Sequence, residues 1–408
     1  MTRVGILSVG DELLAGDILD TNAHWLAREL AGRGHRLAAT ATVGDDIAVI
    51  QQALERASQD CELLLVTGGL GPTKDDLTRD GVAAAFGLAL REHPEYLAQA
   101  QGGNKQLSAG GRLQASFPEG CEVLENERGT APGFLVTGTL AASAGPPFRV
   151  ACFPGVPSEM RAMVRALLER EGDGRDRLPV RKLRCCGMSE SVVGERLAEL
   201  MDRSRSGCLV GVTASGGILT VSVRGADASA IDATFEEARA RLGEAVFGEG
   251  EILHAEAVVQ LLIERGLVVS MAESCTGGLL AGAITSVPGS SAVLHEAVVT
   301  YSNEAKAARL GVPEATLAEH GAVSEPTAAA MAEGQRARSG ADVALSITGI
   351  AGPGGATPTK PVGTVVLGLA DAAGTLVRTH EWRGGRDEIR RRSVTVALEM
   401  LRRRVAGG

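Results

Sequence analysis

Short apolar runs and stretches with helical spacing alternate along the first 170 residues. Residues 4–9, 36–43 and 63–67 are predicted strands, and each is followed by leucine and alanine spacing that is typical of a helix. Strands that alternate with helices in this way predict a parallel sheet with helices on both faces. The pattern therefore predicts an α/β domain over residues 1–171.

Composition changes at residues 171–179, where EGDGRDRLP concentrates charge, glycine and proline as linkers do. The pattern that follows, over residues 178–248, predicts the order β-α-β-β-α and hence a small α+β domain. A second boundary is predicted at FGEGEILHAE, residues 247–256. Residues 99–111 and 141–147 carry no motif and are predicted loops.

The last domain, residues 251–408, is organised around a strand, a glycine turn and a helix. Residues 267–271 form an apolar run, residues 273–278 are small turn residues, and helical spacing begins at Leu279. Unpaired amides and the helix dipole favour an anion at such a helix start by roughly 0.3 to 2 kcal/mol. The turn is therefore a predicted anion cradle.

Groups that could carry out covalent chemistry follow this turn. Ser290 and Ser291 supply hydroxyls, Tyr301 a phenol and Lys306 an amine. A lysine that acts as a base near pH 7 needs a pKa about 3 units below its usual 10.4, which costs roughly 4 kcal/mol. Two alternatives stay open on the pattern alone: the serines cap a helix, and Lys306 is a solvated helix residue.

The third βα unit of the first domain carries a second candidate site. Gly68, Gly69 and Gly71 follow its strand and permit close approach of a ligand to backbone amides, and Asp75 and Asp76 precede the next helix. Phosphate at the amides and a divalent metal at the carboxylates are a consistent pair, because hard cations bind oxygen ligands. Helix capping by either aspartate is the alternative.

Overall composition limits the partners of the protein. With 408 residues the chain exceeds the size of a single core, about 250 to 300 residues, so two or three domains are expected. The net charge of −9 argues against duplex DNA or an anionic membrane as a partner. No apolar run reaches the roughly 18 residues of a membrane span, and no signal peptide is recognisable, so a cytoplasmic location is expected.

The seven cysteines form no CxxC pair, which favours reduced thiols over a disulfide framework or a zinc site. Cys275 alone lies in a motif and is an alternative nucleophile. It ranks below the serines because no histidine follows at a recurrent spacing, and because a small thiol packs well in a tight turn.

The sequence motifs of the last domain resemble those of a known family. AESCTGGLLAGAIT, PGSS, VTYSNEAKA, HGAVSEPTAAAMA, SITGIAGPGG and KPVGTV are similar, in order, to the C-terminal domain of the CinA family, the nicotinamide mononucleotide deamidases. The resemblance implies a metal-free amidase with Ser291 as nucleophile, Lys306 as base and Tyr301 as proton relay or orienting group. The residues expected to bind substrate are Ser274, Thr276, Gly277, Gly278, Thr348 and Gly349, together with Arg386 and Arg390 as candidate phosphate partners, of which the sequence does not show which reaches the ligand.

The first domain resembles the molybdopterin-binding fold of the CinA N-terminal domain, through GDELLAGDILDTNAHWLA, TGGLGPTKDDLTRD, RGTAPGF and FPGVPSEM. The resemblance implies metal-dependent cleavage of ADP-ribose. Asp76 and Glu159 are the preferred ligands of a divalent metal ion of unknown identity. The residues expected to bind substrate are Asp11, Glu12, Asn22, Gly68, Gly69, Gly71, Thr73 and Asp75.

The middle domain corresponds in position to a KH-like domain of that family. It lacks the GxxG loop by which KH domains bind RNA, so nucleic-acid binding is not expected and a spacer or homodimer-forming role is preferred. The expected protein is a bifunctional enzyme whose substrates are small pyridine nucleotides. A molybdopterin-type binding protein and a scaffold in competence or DNA-damage responses are the alternatives.

Overall fold

The computed structural model describes residues 3–100, 109–141, 147–174 and 179–407. Most of the predicted loops at 99–111 and 141–147 and part of the linker at 171–179 lie outside the described residues. The chain forms two compact units, Met1–Leu178 and Pro179–Gly408. The second unit contains both the predicted middle domain and the predicted C-terminal domain.

The first unit is built on a six-stranded sheet with the order β2-β1-β3-β8-β7-β6 and a separate pair, β4-β5. Its strands are β1 (Arg3–Val9), β2 (Arg36–Val43), β3 (Leu63–Thr67), β4 (Leu90–Glu92), β5 (Ser116–Pro118), β6 (Glu122–Leu124), β7 (Gly133–Gly138) and β8 (Phe148–Phe153). Its helices are α1 (Asp11–Ala15), α2 (Thr21–Gly32), α3 (Ile47–Asp60), α4 (Thr78–Phe86), α5 (Pro94–Ala100), α6 (Ala109–Gln114) and α7 (Pro157–Glu171).

This sheet is mixed, whereas the sequence pattern predicted a parallel one. Strands β2, β1, β3 and β8 are parallel, but β7 pairs antiparallel with β8, and the edge strand β6 pairs antiparallel with β7. Both faces are apolar: Ile50 and Val82 belong to the core on one face, and Leu26 and Val164 to the core on the other. The carboxyl ends of the parallel strands therefore meet at one edge, where α/β folds place their ligands.

The middle domain is a four-stranded antiparallel sheet of order β10-β11-β9-β12 with helices packed on one face. Val193 of one helix and Phe235 of another lie in its core. Its elements are β9 (Val180–Cys186), α8 (Glu190–Met201), α9 (Arg203–Ser206), β10 (Leu209–Ser215), β11 (Ile218–Arg224), α10 (Ala228–Leu242), a 3-10 turn (Gly243–Ala245) and β12 (Val246–Glu249).

The C-terminal domain has a five-stranded sheet of order β14-β13-β15-β16-β17. Strands β14, β13 and β15 are parallel, and β16 and β17 are antiparallel to their neighbours. Its elements are α11 (His254–Arg265), β13 (Val269–Glu273), α12 (Leu279–Thr285), a 3-10 turn (Ser290–Ala292), β14 (Leu294–Val299), α13 (Asn303–Leu310), α14 (Glu314–His320), α15 (Glu325–Ser339), β15 (Val343–Gly349), β16 (Thr364–Asp371), β17 (Gly374–Glu381) and α16 (Arg386–Ala406).

Helix α16 of the C-terminal domain makes hydrogen bonds to the middle domain. Glu399 on this helix is buried, pairs with His254, and accepts hydrogen bonds from Arg402 and Arg403. Burial opposes ionisation of Glu399, but these donors lower its pKa to about 2. Arg402 also donates to the carbonyl of Glu244 in the middle domain, so the carboxylate orients the arginine that joins the two domains.

The α/β fold class expected from the sequence is confirmed: a molybdopterin-binding-like domain, a KH-like α+β domain and a CinA-type C-terminal domain follow one another. Among the described residues, every helix is too short or too polar to cross a membrane.

Candidate active sites

Three parallel strands of the C-terminal domain end at the same edge of the sheet. Ser274 follows β13, Thr300 and Tyr301 follow β14, and Thr348 and Gly349 close β15. Because parallel strands have a common direction, these residues meet in space although they are up to 75 positions apart in the chain.

Lys306 points into this edge from the first turn of α13. The side chain is 1% exposed, and its Nζ donates to the Ser274 hydroxyl at 3.2 Å and to the carbonyls of Thr300 and Tyr301 at 2.9 and 3.2 Å. Burial lowers the pKa of Lys306, and no described carboxylate pairs with it to offset that effect. Lys306 is therefore buried, and the alternative that it is a solvated helix residue is wrong.

The hydroxyl that meets this amine belongs to Ser274, whereas Ser291 was expected. Ser291 lies exposed in the 3-10 turn after α12 and makes no hydrogen bond to Lys306. Tyr301 contributes its backbone carbonyl to Lys306, while its exposed phenol accepts a hydrogen bond from Arg386 at 3.3 Å. The geometry thus supports a serine–lysine pair but with a different serine, and it does not place the Tyr301 phenol as a relay between them.

The predicted anion cradle is occupied by a carboxylate of the chain itself. Glu273, 1% exposed at the end of β13, accepts hydrogen bonds from the amides of Gly278, Leu280 and Ala281 at 2.9 to 3.1 Å. These three amides are therefore engaged by a carboxylate of the chain itself, and substrate binding at the turn stays a prediction. Gly277 and Gly278 have positive φ values of 60° and 95°, so their role is to form the turn.

The two candidate arginines differ in what they contact. Arg390 is half-buried and donates to the carbonyls of Cys275 and Thr276 at 3.1 and 2.9 Å, which holds the turn in place. Arg386 is exposed and donates to the carbonyl of Gly352 at 2.7 Å and to the Tyr301 phenol. Arg386 alone of the pair retains donors that face solvent beside the site.

The remaining expected residues contact the surrounding scaffold or are buried. Thr348 donates to the carbonyl of Ala322 at 2.7 Å, so its hydroxyl is committed to the scaffold. A Cβ on Gly349 would lie 2.7 Å from Val365 and 3.1 Å from the Cys275 sulfur, so this position packs the turn against β15 and β16. The Thr276 hydroxyl is buried and lacks a hydrogen-bond partner among the described residues.

Cys275 is disfavoured as a nucleophile by its surroundings. It is 5% exposed, and burial raises the pKa of its thiol to about 11. A thiol with that pKa is protonated at neutral pH, and the thiolate is the reactive form. Cys275 is therefore a packing residue of the turn.

The glycine loop of the first unit borders a cavity of about 500 Å³. Gly68, Gly69 and Gly71 line it, together with five carboxylate side chains: Glu12, Asp45, Asp75, Asp76 and Glu159. Most of the residues expected at this site are thus brought to one place. Their charge is strongly negative, so an anionic ligand requires a cation to accompany it.

Close packing accounts for the glycines of this loop. A Cβ on Gly68 would lie 2.1 Å from the Val9 carbonyl oxygen, and one on Gly69 would lie 2.2 Å from the Thr78 hydroxyl. Beneath the loop, Arg79 is 3% exposed and donates to the carbonyl of Leu70 at 2.7 Å. Burial lowers the pKa of Arg79 to about 10, so it remains a cation under the loop at neutral pH.

Asp76, expected as a metal ligand, is already used by the loop. Its carboxylate accepts from the amides of Gly71 and Thr73 at 2.7 and 2.8 Å and also from the Thr73 hydroxyl. Glu159 accepts from Asn126 at 2.6 Å and otherwise faces the cavity. The described contacts of Asp76 therefore stabilise the glycine loop, and Thr73 takes part in the same hydrogen bonds.

Asp45 was not recognised in the sequence and also lines this cavity. Its carboxylate accepts from the Asp11 amide, and the Asp11 carboxylate accepts from the Asp45 amide. Burial, followed by repulsion from Asp11, Glu12 and Asp75, raises the pKa of Asp45. A divalent cation would relieve this repulsion, so the donor set fits a hard metal ion held by one or two of these carboxylates and by ligand phosphates.

Asn22 was expected to bind substrate, and its side-chain nitrogen makes two contacts within the first unit. Its amide nitrogen donates to the Thr67 hydroxyl at 3.0 Å and to the Gly155 carbonyl at 2.7 Å. Asn22 therefore ties the end of β3 to the loop before α7, and does not itself line the cavity.

Taken together, the fold and the sites define a three-domain protein with a molybdopterin-binding-like domain, a KH-like domain and a third α/β domain. Three family descriptions match in that order: "Probable molybdopterin binding domain" over residues 5–172, "Damage-inducible protein CinA KH domain" over 180–248 and "CinA C-terminal domain" over 252–405.

The chain belongs to the CinA family. A CinA-like protein of Geobacter metallireducens is 42% identical, with 99% of each chain covered. A CinA-like protein of Synechococcus is 41% identical, with 99% of this chain and 98% of the relative covered. The crystal structure of the competence/damage inducible protein CihA from Agrobacterium tumefaciens has 47% sequence identity and a TM-score of 0.35, covering 37% of this chain and 94% of that one.

Proposed function

We propose that the C-terminal domain is a serine–lysine amidase that hydrolyses nicotinamide mononucleotide to nicotinate mononucleotide and ammonia. The observation that carries the proposal is the hydrogen bond between the buried amine of Lys306 and the hydroxyl of Ser274. A lysine in this setting is disposed to lose its proton, and a neutral amine can accept the proton of a serine.

The reaction would proceed in two steps. In the first, Ser274 Oγ attacks the carboxamide carbon as Lys306 takes the hydroxyl proton, and Lys306 then passes that proton to the departing amine, which leaves as ammonia. In the second, Lys306 removes a proton from water, the hydroxide attacks the ester carbon, and Ser274 regains its proton as nicotinate mononucleotide departs. Neither step draws on a metal ion.

Two residues support the proposed chemistry without reacting. Glu273 and Arg390 hold the turn that carries Ser274, one through backbone amides and the other through backbone carbonyls. This fixes the serine against Lys306, and preorganised geometry is a large part of catalysis. Arg386, with donors near the Tyr301 phenol, is the proposed partner of the substrate phosphate.

The direct test is ammonia release from nicotinamide mononucleotide by the full chain, with Ser274→Ala and Ser291→Ala assayed beside the wild type. Loss of activity in Ser274→Ala alone supports the proposed pair. Loss in Ser291→Ala alone would return the nucleophile to the serine expected from the sequence.

For the first unit we propose metal-dependent hydrolysis of ADP-ribose to AMP and ribose 5-phosphate. The carrying observation is the cavity that combines a glycine loop above Arg79 with a carboxylate wall that includes Glu12, Asp45 and Asp75. When bound, a divalent cation would offset charge between the diphosphate and these acids. The loop amides and the buried arginine would orient the diphosphate on the opposite side.

Chelation separates this activity from the other. Excess chelator should abolish ADP-ribose turnover and leave ammonia release from nicotinamide mononucleotide unchanged in the same sample. Binding of ADP-ribose without turnover at any divalent metal concentration would favour a ligand-binding domain of the molybdopterin type.

A further inference from the structure

A cavity of about 590 Å³ lies between the tip of the β10–β11 hairpin and the first turns of α16. Gly216 and Gly217 form the wall from the middle domain, and Arg386, Arg391 and Arg392 line it from the C-terminal domain. Neither domain alone makes the enclosure, because its two walls come from segments about 170 residues apart.

The hairpin tip is fixed against the helix. The Thr395 hydroxyl donates to the carbonyl of Gly216 at 2.9 Å, and a Cβ on Gly217 would lie 3.3 Å from the Thr395 methyl group. Arg402, two turns further along α16, donates to the carbonyl of Glu244. The cavity is therefore preformed, since hydrogen bonds along the helix hold the middle domain beside it.

The charges around this cavity do not cancel. Both carboxylates that line it are already paired. Glu388 lies 2.6 Å from Arg392, and Asp387 lies 3.4 Å from Arg390, which is not itself a lining residue. Arg386 contacts only a carbonyl and a phenol, and the Arg391 guanidinium has no hydrogen bond or ion pair with any described residue. Two uncompensated guanidinium groups thus line one cavity in a chain of net charge −9.

We propose that this cavity binds a phosphoryl group, that Arg391 is the contact dedicated to it, and that the glycine hairpin of the middle domain completes the site. Guanidinium groups bind phosphate oxygens through paired hydrogen bonds, and glycines leave room for the bulky anion. Tyr301 is a neighbour of both places: its phenol accepts a hydrogen bond from Arg386 of the cavity, and its backbone carbonyl accepts one from Lys306. The phosphoryl group belongs either to the substrate, in which case the inference rests on the proposed deamidase function, or to a separate phosphorylated effector.

Inorganic pyrophosphate is a suitable probe, titrated calorimetrically into the full chain with chelator present so that metal-dependent binding in the first unit does not contribute. Arg391→Gln is expected to weaken binding roughly tenfold or more, because a hydrogen bond to a charged group is lost. Arg391→Lys should fall between Arg391→Gln and wild type. Arg265→Gln removes the same charge at an exposed site on α11 and should match wild type. Equal affinity of wild type and Arg391→Gln for pyrophosphate would overturn the proposal.

Kinetics distinguish the two sources of the phosphoryl group. If it belongs to the substrate, Arg391→Gln raises KM for nicotinamide mononucleotide far more than KM for nicotinamide riboside, which lacks the phosphate. If it belongs to an effector, pyrophosphate alters ammonia release by the wild type and not by Arg391→Gln. Absence of deamidation in the wild type would refute the proposed function, whereas the binding titration would still decide the cavity.

Discussion

Replacement of Ser274 by alanine tests the central contact of the C-terminal site. The change removes one oxygen from a residue that is 7% exposed and deletes one of the three acceptors of Lys306. If Ser274 is the nucleophile, kcat should fall by roughly 10⁴ to 10⁶, as expected when a covalent catalyst is removed. That corresponds to about 5 to 8 kcal/mol of transition-state stabilisation.

The same substitution should affect stability only slightly. One hydrogen bond contributes about 0.5 to 1.5 kcal/mol net, and Lys306 keeps its two carbonyl acceptors. For a unit of this size the expected loss in Tm is about 2 to 4 °C. Calorimetry and circular dichroism would therefore show a folded protein in which the chemical step has been lost.

Ser291→Ala is the matched control, because it removes the same atom from an exposed position in the 3-10 turn after α12. Its stability should stay within about 0.5 kcal/mol of wild type. Single-turnover ammonia release and calorimetric binding of nicotinamide mononucleotide would be measured for both variants. A Ser274→Ala enzyme that retains kcat within tenfold of wild type would refute the proposed pairing, whatever the control shows.

Three further variants test the C-terminal site and the glycine loop of the first unit. Lys306→Arg should bind nicotinamide mononucleotide but lose turnover, since arginine stays protonated. In the wild type, kcat/KM should rise with pH through the pKa of Lys306, which burial holds below the ordinary value for lysine. A flat profile between pH 5 and 10 would contradict the lysine base. Glu273→Gln should lower Tm by about 2 to 4 °C and reduce kcat, because a carboxamide has one acceptor oxygen for three amides; unchanged melting and kinetics would show that the carboxylate does not hold the turn. Gly68→Ala should abolish ADP-ribose turnover and spare deamidation, because its Cβ would lie 2.1 Å from the carbonyl oxygen of Val9. Gly120→Ala is the control: Gly120 also has a positive φ, of 77°, but no atom lies within 4 Å of an added Cβ, so only stability should change. Equal ADP-ribose turnover by the two variants would contradict this interpretation.

The sequence predicted the elements near the sites well because their signals are local. The apolar runs of β3 and β13, and the glycines after each strand, correspond to the observed strand–turn–helix units. The antiparallel pairings of β7 with β8 and of β6 with β7 were missed because strand direction depends on pairing partners that periodicity does not specify. A strand that is only three residues long, as β6 is, also gives a weak alternating pattern.

The partners of the site residues were harder to predict. Ser274 and Ser291 both lie in small-residue turns between Leu267 and Lys306, and sequence spacing does not show which of them the lysine meets. Asp45 and Glu273 were overlooked for a related reason. Each carboxylate acts on backbone amides close in space, and side-chain acceptors of this kind have no fixed spacing motif.

Burial of Lys306, in contrast, could have been inferred from the helix itself. Ser302 caps α13, which places Lys306 in its first turn, four residues before Leu310. Residues four apart lie on the same face of a helix, and Leu310 is 4% exposed in the core beneath the sheet. The amphipathic pattern of NEAKAARL therefore places an amine on the apolar stripe, where it is costly unless compensated. A lysine at such a position is a signal of function that needs no family resemblance, since solubility alone would favour the opposite face of the helix.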